Sequence, residues 1–201
     1  MKHVKIIGIG GLPRSGKDSL AEHFMKAGFF GVSLGDINRE YTRERHAGKP
    51  DPISVENMTE TSNWLRKEHG ADFFLQEALR RYEAHDKPSE GLVLFSIRAP
   101  IEVDFILERG GELIWVEASA EVRHDRGRAH LRDGEVPISL EEFKRQEAKQ
   151  WEPQPGQDSE SQMNISYVKQ KATLTFENNG NSFRAFHEQA DELVKRLTGL
   201  Q

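Results

Sequence analysis

The chain has 201 residues, carries a formal net charge of −5 and contains no cysteine. This length allows one α/β domain with a substantial core, and the lack of cysteine excludes disulfides, cysteine-based zinc sites and thiol catalysis. The negative charge argues against a broad nucleic-acid surface, and no run of about eighteen apolar residues predicts a membrane span. The chain also enters a predicted core strand without the features of a signal peptide. We therefore expect a cytoplasmic protein that binds neither nucleic acid nor membrane, and its oligomeric state stays open.

The first predicted strand leads into a phosphate-binding motif. Residues 4–9 form an apolar, β-branched run, and Gly11, Gly16 and Lys17 follow with the spacing G-x-x-x-x-G-K before a predicted helix. In this context the backbone N–H groups can surround phosphate oxygens, while the helix N-terminus and the lysine add positive charge. The motif predicts a nucleotide site. Its predicted residues are Gly11, Arg14, Ser15, Gly16, Lys17, Asp18 and Ser19.

The residue after the P-loop lysine departs from the usual pattern. Asp18 stands where a hydroxyl normally binds Mg²⁺, and Ser19 follows one position later. Asp18 could face the metal, or it could stabilise the first helical turn through the helix dipole. Both interpretations stay open, and Asp18 and Ser19 are the candidate Mg²⁺ ligands.

The rest of the chain alternates predicted strands and helices. The predicted strands cover residues 4–9, 29–33, 92–95, 113–116 and 173–176. Predicted helices include those over about residues 17–27, 54–69 and 72–82 and an amphipathic C-terminal helix from Phe183, and residues 47–52 and 151–162 are predicted loops. This alternation predicts a three-layer α/β fold, in which helices cover both faces of a five-stranded parallel sheet.

Ligands of such sheets bind beyond the carboxyl ends of the strands. Besides the P-loop, polar residues follow the second strand at Gly35 and Asp36, and the third strand at residues 96–98, which are predicted as a loop. Arginines follow the fourth strand at Arg123, Arg126, Arg128 and Arg132. Gly35 and Asp36 could equally form a turn and helix N-cap. Arg39 and the arginine cluster could equally belong to solvated helix faces.

These motifs resemble those of the nucleoside monophosphate kinase group of P-loop kinases. The chain is most similar to small dephospho-CoA-kinase-like and adenylate-kinase-like proteins, over residues 5–197. The resemblance implies a P-loop NTPase fold in a single domain that spans residues 1–201. It also implies an acceptor-binding helical region at about residues 36–86 and a short lid at about residues 123–150.

The resemblance further implies transfer of the γ-phosphoryl group of ATP, with Mg²⁺ as cofactor, to a small-molecule nucleotide acceptor. Asp36 would orient or deprotonate an acceptor hydroxyl, as in dephospho-CoA kinases, or fix the arginines on the acceptor side. Arg39 and Arg98 would bind the acceptor's phosphate. Arg126 and Arg128 would close over the transferring group. The catalytic residues implied in this way are Lys17, Asp36, Arg98, Arg126 and Arg128.

One departure from the family bears on the metal. Many relatives carry Asp-Gly before the arginine of the third strand, and this aspartate holds Mg²⁺ through water, whereas Phe95 and Ser96 occupy these positions here. Asp18 or Asp36 could take over, and full activity is not assured. The expected acceptor is a nucleoside or deoxynucleoside monophosphate, with dephospho-CoA as the alternative. A regulatory ATPase or a non-catalytic nucleotide-binding module is the alternative of another class.

Overall fold

The computed structural model describes residues 4–129, 137–148, 151, 162–180 and 182–199. The described strands are β1 (Ile6–Gly11), β2 (Phe30–Ser33), β3 (Leu92–Ile97), β4 (Glu112–Glu117) and β5 (Leu174–Glu177). The described helices are α1 (Lys17–Lys26), α2 (Leu34–Arg45), α3 (Val55–His69), α4 (Phe73–Glu83), α5 (Pro100–Glu108), α6 (Ala120–Ala129), α7 (Leu140–Ala148), α8 (Ile165–Lys171) and α9 (Phe183–Thr198). Within these ranges no helix has the length and apolar character needed to cross a membrane.

The five strands form one parallel sheet in the order β2-β3-β1-β4-β5. Successive side chains of a strand point to opposite faces, so Leu92 and Leu94 of β3 join one core while Val93 joins the other. The first core receives residues from α2, α3, α4, α5 and α8, and the second receives residues from α1 and α9. The predicted three-layer α/β fold with a five-stranded parallel sheet is therefore confirmed.

Side-chain caps explain where several helices begin. Ser33, Ser54, Asn164 and Ser182 each accept a hydrogen bond from the backbone N–H three residues later. The cap of α2 is thus Ser33, and Gly35 and Asp36 lie in the first turn of that helix. This excludes the interpretation in which Gly35 and Asp36 themselves form the N-cap.

Strand β3 is longer than predicted. The pairing of β1 with β3 shifts after Ile9, which lies opposite Phe95, so that Gly10 lies opposite Ile97. This shift is a β-bulge in β3, in which Ser96 is the extra residue and has a left-handed φ of 63°. Residues 96 and 97 were predicted as a loop because a serine after an apolar run resembles a strand end. The bulge instead lets pairing resume at Ile97.

Two other segments bear on the sequence predictions. Helix α8 was not predicted, because its seven residues contribute only Ile165 and Val168 to the buried core, too few for a helical period. It packs directly on β1, since a Cβ added to Gly10 would lie 2.7 Å from Val168 Cγ1. Arg132, part of the predicted lid and most of the predicted loop at residues 151–162 lie outside the described residues.

Candidate functional site

The P-loop joins the end of β1 to the start of α1. Arg14 and Gly16 have left-handed φ values of 65° and 98°, and a Cβ on Gly16 would lie 2.3 Å from Asn178 Nδ2. The Ser15 side chain is fully buried, and its hydroxyl has no hydrogen-bond partner among the described residues. A buried hydroxyl without a partner is costly, so this loop fits a ligand that carries hydrogen-bond acceptors, as phosphate does.

Lys17 is the first residue of α1 and is only 5% exposed. Its Nζ lies 3.6 Å from Asp18 Oδ2, while the Asp18 side chain is 62% exposed. A buried ammonium group is stable only near negative charge. The position of Lys17 at the helix start therefore suits a phosphate group, with Asp18 as an acidic neighbour at the surface.

The residues near the P-loop would hold Mg²⁺ only together with a nucleotide. No group of three histidine, aspartate or glutamate side chains able to hold a metal occurs in the part of the chain that the structure describes. Mg²⁺ at nucleotide sites takes most of its ligands from phosphate and water, so one or two protein oxygens suffice. Asp18 and Ser19 are both exposed on the first turn of α1 and can supply them.

Arg126 of α6 links the P-loop to the segment after β5. Its Nη1 donates to the carbonyl oxygens of Arg14 at 3.3 Å and Ser15 at 3.4 Å, and its Nη2 donates to Asn178 O at 3.0 Å and Gly180 O at 3.1 Å. Burial lowers the pKa of Arg126. In this conformation the guanidinium binds protein oxygens, so its predicted role over a transferring phosphoryl group would require some of these bonds to break.

Asn178, which follows β5, contacts both the P-loop and Arg126. Its Nδ2 donates to Ser15 O at 2.7 Å, its Oδ1 accepts from Arg126 Nη2 at 3.1 Å, and its backbone N–H donates to Glu117 O at 2.8 Å. The carbonyl of Ser15 is thereby held by two side chains that come from α6 and from the end of β5. The sequence analysis did not predict this contact between the segment after β5 and the P-loop.

Helix α6 lies directly against the P-loop at Gly127. A Cβ added to Gly127 would lie 2.1 Å from Arg14 Nη1 and 2.6 Å from Arg14 Cζ. Only a glycine allows the Arg14 guanidinium to lie across the helix at this point. Gly127 is thus a contact of the P-loop arginine that the sequence analysis missed, although a glycine inside a helix is a recognisable signal.

The other arginines of α6 have different surroundings. Arg123 is 3% exposed, and its guanidinium donates to Ala118 O at 2.9 Å and to Glu147 Oε2 of α7 at 2.8 Å. Arg128, in contrast, is exposed. Arg123 therefore joins α6 to α7, while Arg128 stays accessible to a ligand.

The ends of β2 and β3 meet closely. A Cβ on Gly35 would lie 3.5 Å from Ser96 Oγ. Asp36 has a side chain that is 56% exposed and forms an ion pair with Arg39 one turn later in α2. The structure thus brings Asp36 and Arg39 together at the same sheet edge as Ser96.

The loop that carries Arg98 is held by hydrogen bonds at its backbone. The N–H groups of Arg98 and Ala99 donate to Glu102 Oε2 at 2.7 and 3.1 Å, and the Arg98 carbonyl accepts from Asn164 N at 2.8 Å. Glu102 and Asn164 were not predicted as site residues. The spacing of Glu102, three residues after the N-cap Ala99, is a signal that could have identified it.

Comparison with curated proteins finds similar archaeal sequences, whereas no family model matches the chain. A UPF0200 protein from Pyrobaculum aerophilum is 33% identical over 144 residues, which cover 70% of this chain and 74% of that protein. A UPF0200 protein from Hyperthermus butylicus is 28% identical over 199 residues, which cover 98% of this chain and 97% of that protein. A UPF0200/UPF0201 protein from Archaeoglobus fulgidus is 27% identical over 96% of this chain, which spans only 56% of that relative's length.

Comparison with solved structures finds P-loop kinases among the similar folds. TT1252 from Thermus thermophilus has a TM-score of 0.59 at 21% identity, with both chains covered completely. Shikimate kinase from Bacteroides thetaiotaomicron has a TM-score of 0.56 at 16% identity, covering 98% of this chain and 99% of that one. Dephospho-CoA kinase from Campylobacter jejuni has a TM-score of 0.52 at 16% identity, covering 98% and 100%. At such identities the likeness shows a P-loop kinase-like fold and leaves the substrate unassigned.

Proposed function

The chain belongs to the UPF0200 family, and on that premise we propose that it is an ATP-dependent phosphotransferase acting on a nucleotide or nucleotide-like small molecule. The family name states no reaction. The observation that carries the proposal is a P-loop on a kinase-like fold, with Lys17 buried and the Ser15 hydroxyl buried without a partner among the described residues.

The donor site would consist of the P-loop and the start of α1. Backbone N–H groups and Lys17 would bind the phosphates of ATP, and the Ser15 hydroxyl would gain the acceptor that it lacks. Mg²⁺, when bound, would neutralise part of the phosphate charge, and Asp18 and Ser19 would hold it. These groups position ATP and stabilise negative charge, which is most of what phosphoryl transfer requires of a protein.

The acceptor site would lie where β2 and β3 end. For a nucleoside monophosphate, an oxygen of the acceptor phosphate bound by Arg39 and Arg98 would attack the γ-phosphorus as the bond to the leaving ADP breaks, and Asp36 would fix the arginines on this side. For dephospho-CoA, Asp36 would orient or deprotonate the acceptor hydroxyl. Arg126 and Arg128 would close over the transferring group from α6. Closure of α6 over the site would exclude water and limit ATP hydrolysis.

Among acceptors, a nucleoside or deoxynucleoside monophosphate is proposed first and dephospho-CoA second. A nucleoside monophosphate offers Arg39 and Arg98 a phosphate monoester, and dephospho-CoA offers them a diphosphate. A regulatory ATPase or a non-catalytic nucleotide-binding module is the second candidate function. Phe95 and Ser96, in place of the Asp-Gly that many relatives use to hold Mg²⁺, favour that candidate.

The test is a coupled assay of ADP release with MgATP and a panel of acceptors. The panel contains the ribo- and deoxynucleoside monophosphates and dephospho-CoA. We expect one acceptor to stimulate ADP release in the wild-type protein and in Lys26→Ala, an exposed lysine at the other end of α1, but not in Lys17→Ala. ATP turnover that no acceptor changes would support a regulatory ATPase instead. ATP binding without any turnover would support the non-catalytic module.

A further inference from the structure

Arg66 of α3 is a largely buried arginine whose hydrogen-bonding groups are only partly used by the described residues. Its side chain is 16% exposed, and its Nε is buried without a hydrogen-bond partner among the described residues. Nη1 donates to the Ser62 hydroxyl, and Nη2 lies 3.5 Å from Glu102 Oε1, at the outer limit of a hydrogen bond.

The edge of the guanidinium that carries Nε and Nη2 is the edge that normally binds an oxyanion in a bidentate manner. Arg80 uses this edge fully, with Nε and Nη2 at 2.7 and 2.8 Å from the two carboxylate oxygens of Glu77. The same edge of Arg66 has only the long contact with Glu102. Arg66 therefore has a bidentate anion-binding edge that the described residues leave largely unused.

Glu102 forms an ion pair with Arg66 through one carboxylate oxygen and holds the Arg98 loop through the other. Its Oε2 accepts two backbone N–H groups, those of Arg98 and Ala99. The Phe74 ring, 4.7 Å from Arg66 Cζ, compensates part of the cation's lost hydration. Burial lowers the pKa of Arg66, and its contact with Glu102 opposes that effect. Nε of Arg66 nevertheless lacks the acceptor that a buried donor normally has, and an oxyanion could supply it.

The position of Arg66 relates it to the acceptor side of the proposed site. Glu102 contacts Arg66 through one carboxylate oxygen and the backbone of Arg98 through the other. Arg66 thus lies beside the loop at the carboxyl end of β3, and α3 is part of the predicted acceptor-binding region. An anion that reaches Arg66 here would also be close to the loop of Arg98.

We propose that Arg66 binds an anionic group of the acceptor together with Arg98, and that the acceptor therefore carries a phosphate monoester. The proposal rests on the proposed function, since it assigns Arg66 to that acceptor site. The unused Nε–Nη2 edge would bind two phosphate oxygens in place of its long contact with Glu102. Because Nε is buried, α3 must move slightly away from α5 for the phosphate to enter.

The test measures binding of radiolabelled inorganic phosphate by equilibrium dialysis. A non-hydrolysable ATP analogue with Mg²⁺ first fills the P-loop, including its γ-phosphate position. We expect Arg66→Ala to weaken phosphate binding at least tenfold and Arg66→Lys to weaken it less. Lys67→Ala, which removes the neighbouring exposed charge of the same helix, should bind phosphate as the wild type does. Affinity for the ATP analogue should stay the same in all variants.

A second variant keeps the proposal testable if Arg66→Ala does not fold. Glu102→Gln retains an oxygen for the two backbone N–H groups and removes the negative charge beside Arg66. We expect it to bind phosphate several-fold more tightly than the wild type. The proposal is overturned if the wild type binds no phosphate, if Arg66→Ala binds it normally, or if Glu102→Gln leaves affinity unchanged. These measurements need no turnover, so the absence of kinase activity would overturn the proposed function and leave the phosphate site standing.

Discussion

At the scale of single residues, Ser15 shows how a site can be built at the expense of stability. Its side chain is fully buried, and the hydroxyl has no hydrogen-bond partner in the described part of the chain. Such a group lowers the stability of the folded protein, because water has been removed from it and nothing replaces that water. A ligand that supplies an oxygen at this point would recover the lost free energy on binding.

Replacing Ser15 with alanine should therefore have opposite effects on stability and on binding. We expect Ser15→Ala to raise the free energy of unfolding by about 1 kcal/mol, because it removes an unsatisfied buried hydroxyl. Affinity for MgATP should fall several-fold. Urea unfolding and a calorimetric titration with MgATP measure the two effects. The control Ser89→Ala removes a hydroxyl that donates to the Tyr82 hydroxyl at 3.2 Å. It should lower the free energy of unfolding and leave the affinity for MgATP unchanged. A Ser15→Ala protein that is less stable would contradict this account.

At the scale of secondary-structure elements, two ion pairs join α6 to α7 and differ in burial. Arg123 and Glu147 are both almost fully buried, whereas Lys144 and Glu121 are about half exposed. A buried pair is expensive to break, since one charge is left without its partner, while an exposed pair contributes little. Of these two pairs, the buried one should therefore contribute more to the attachment of α7.

Glu147→Gln tests this difference. We expect it to lower the free energy of unfolding by about 3 kcal/mol, because the buried guanidinium of Arg123 loses its counter-charge. Lys144→Ala, which breaks the exposed pair across the same two helices, should leave the urea midpoint almost unchanged. Equal effects of the two substitutions would mean that burial does not decide how these helices are joined.

A second element-scale contact gives a pH dependence. Hydrogen bonds from Arg80 and Arg81 lower the pKa of Glu77 in α4 from 4.5 to about 2, although burial opposes them. Arg81 also donates to Glu40 at 2.5 Å and so connects α4 to α2. Since the pKa of Glu77 is lowered on folding, its ionised form stabilises the fold fully above pH 4.5, and this contribution is lost as the pH falls towards 2.

The corresponding experiment compares wild type and Glu77→Gln by urea unfolding between pH 7 and pH 2.5. We expect Glu77→Gln to be clearly less stable at pH 7, and the difference should shrink steadily below pH 4.5. The control Glu83→Gln removes a carboxylate from an exposed position at the end of the same helix, and it should change stability little at any of these pH values. A difference between Glu77→Gln and wild type that stays constant with pH would exclude the ionised Glu77 as its source.

At the scale of the whole molecule, local patterns predicted most of the fold. The strands were predictable because parallel strands covered on both faces are continuous apolar runs, as in residues 92–95. The P-loop was predictable because all of its motif lies within a few residues. The features that the sequence did not predict depend on residues far apart in the chain. The bulge at Ser96 arises from the pairing of β3 with β1, and the contact of Asn178 with Ser15 joins residues 163 positions apart. The predicted roles of Asp36, Arg39, Arg98 and Arg128 stay predictions.

The contact between Asn178 and Ser15 also has a consequence for the order in which the protein is made. The P-loop motif is synthesised before the residues that hold its shape, since Arg126 and Asn178, which both donate to the Ser15 carbonyl oxygen, follow Ser15 by 111 and 163 residues. A nascent chain that ends before Asn178 thus contains the motif and lacks the hydrogen bonds that shape it. We expect a nascent chain of this kind to bind nucleotide weakly, so the proposed nucleotide site would form only after Asn178 has been synthesised.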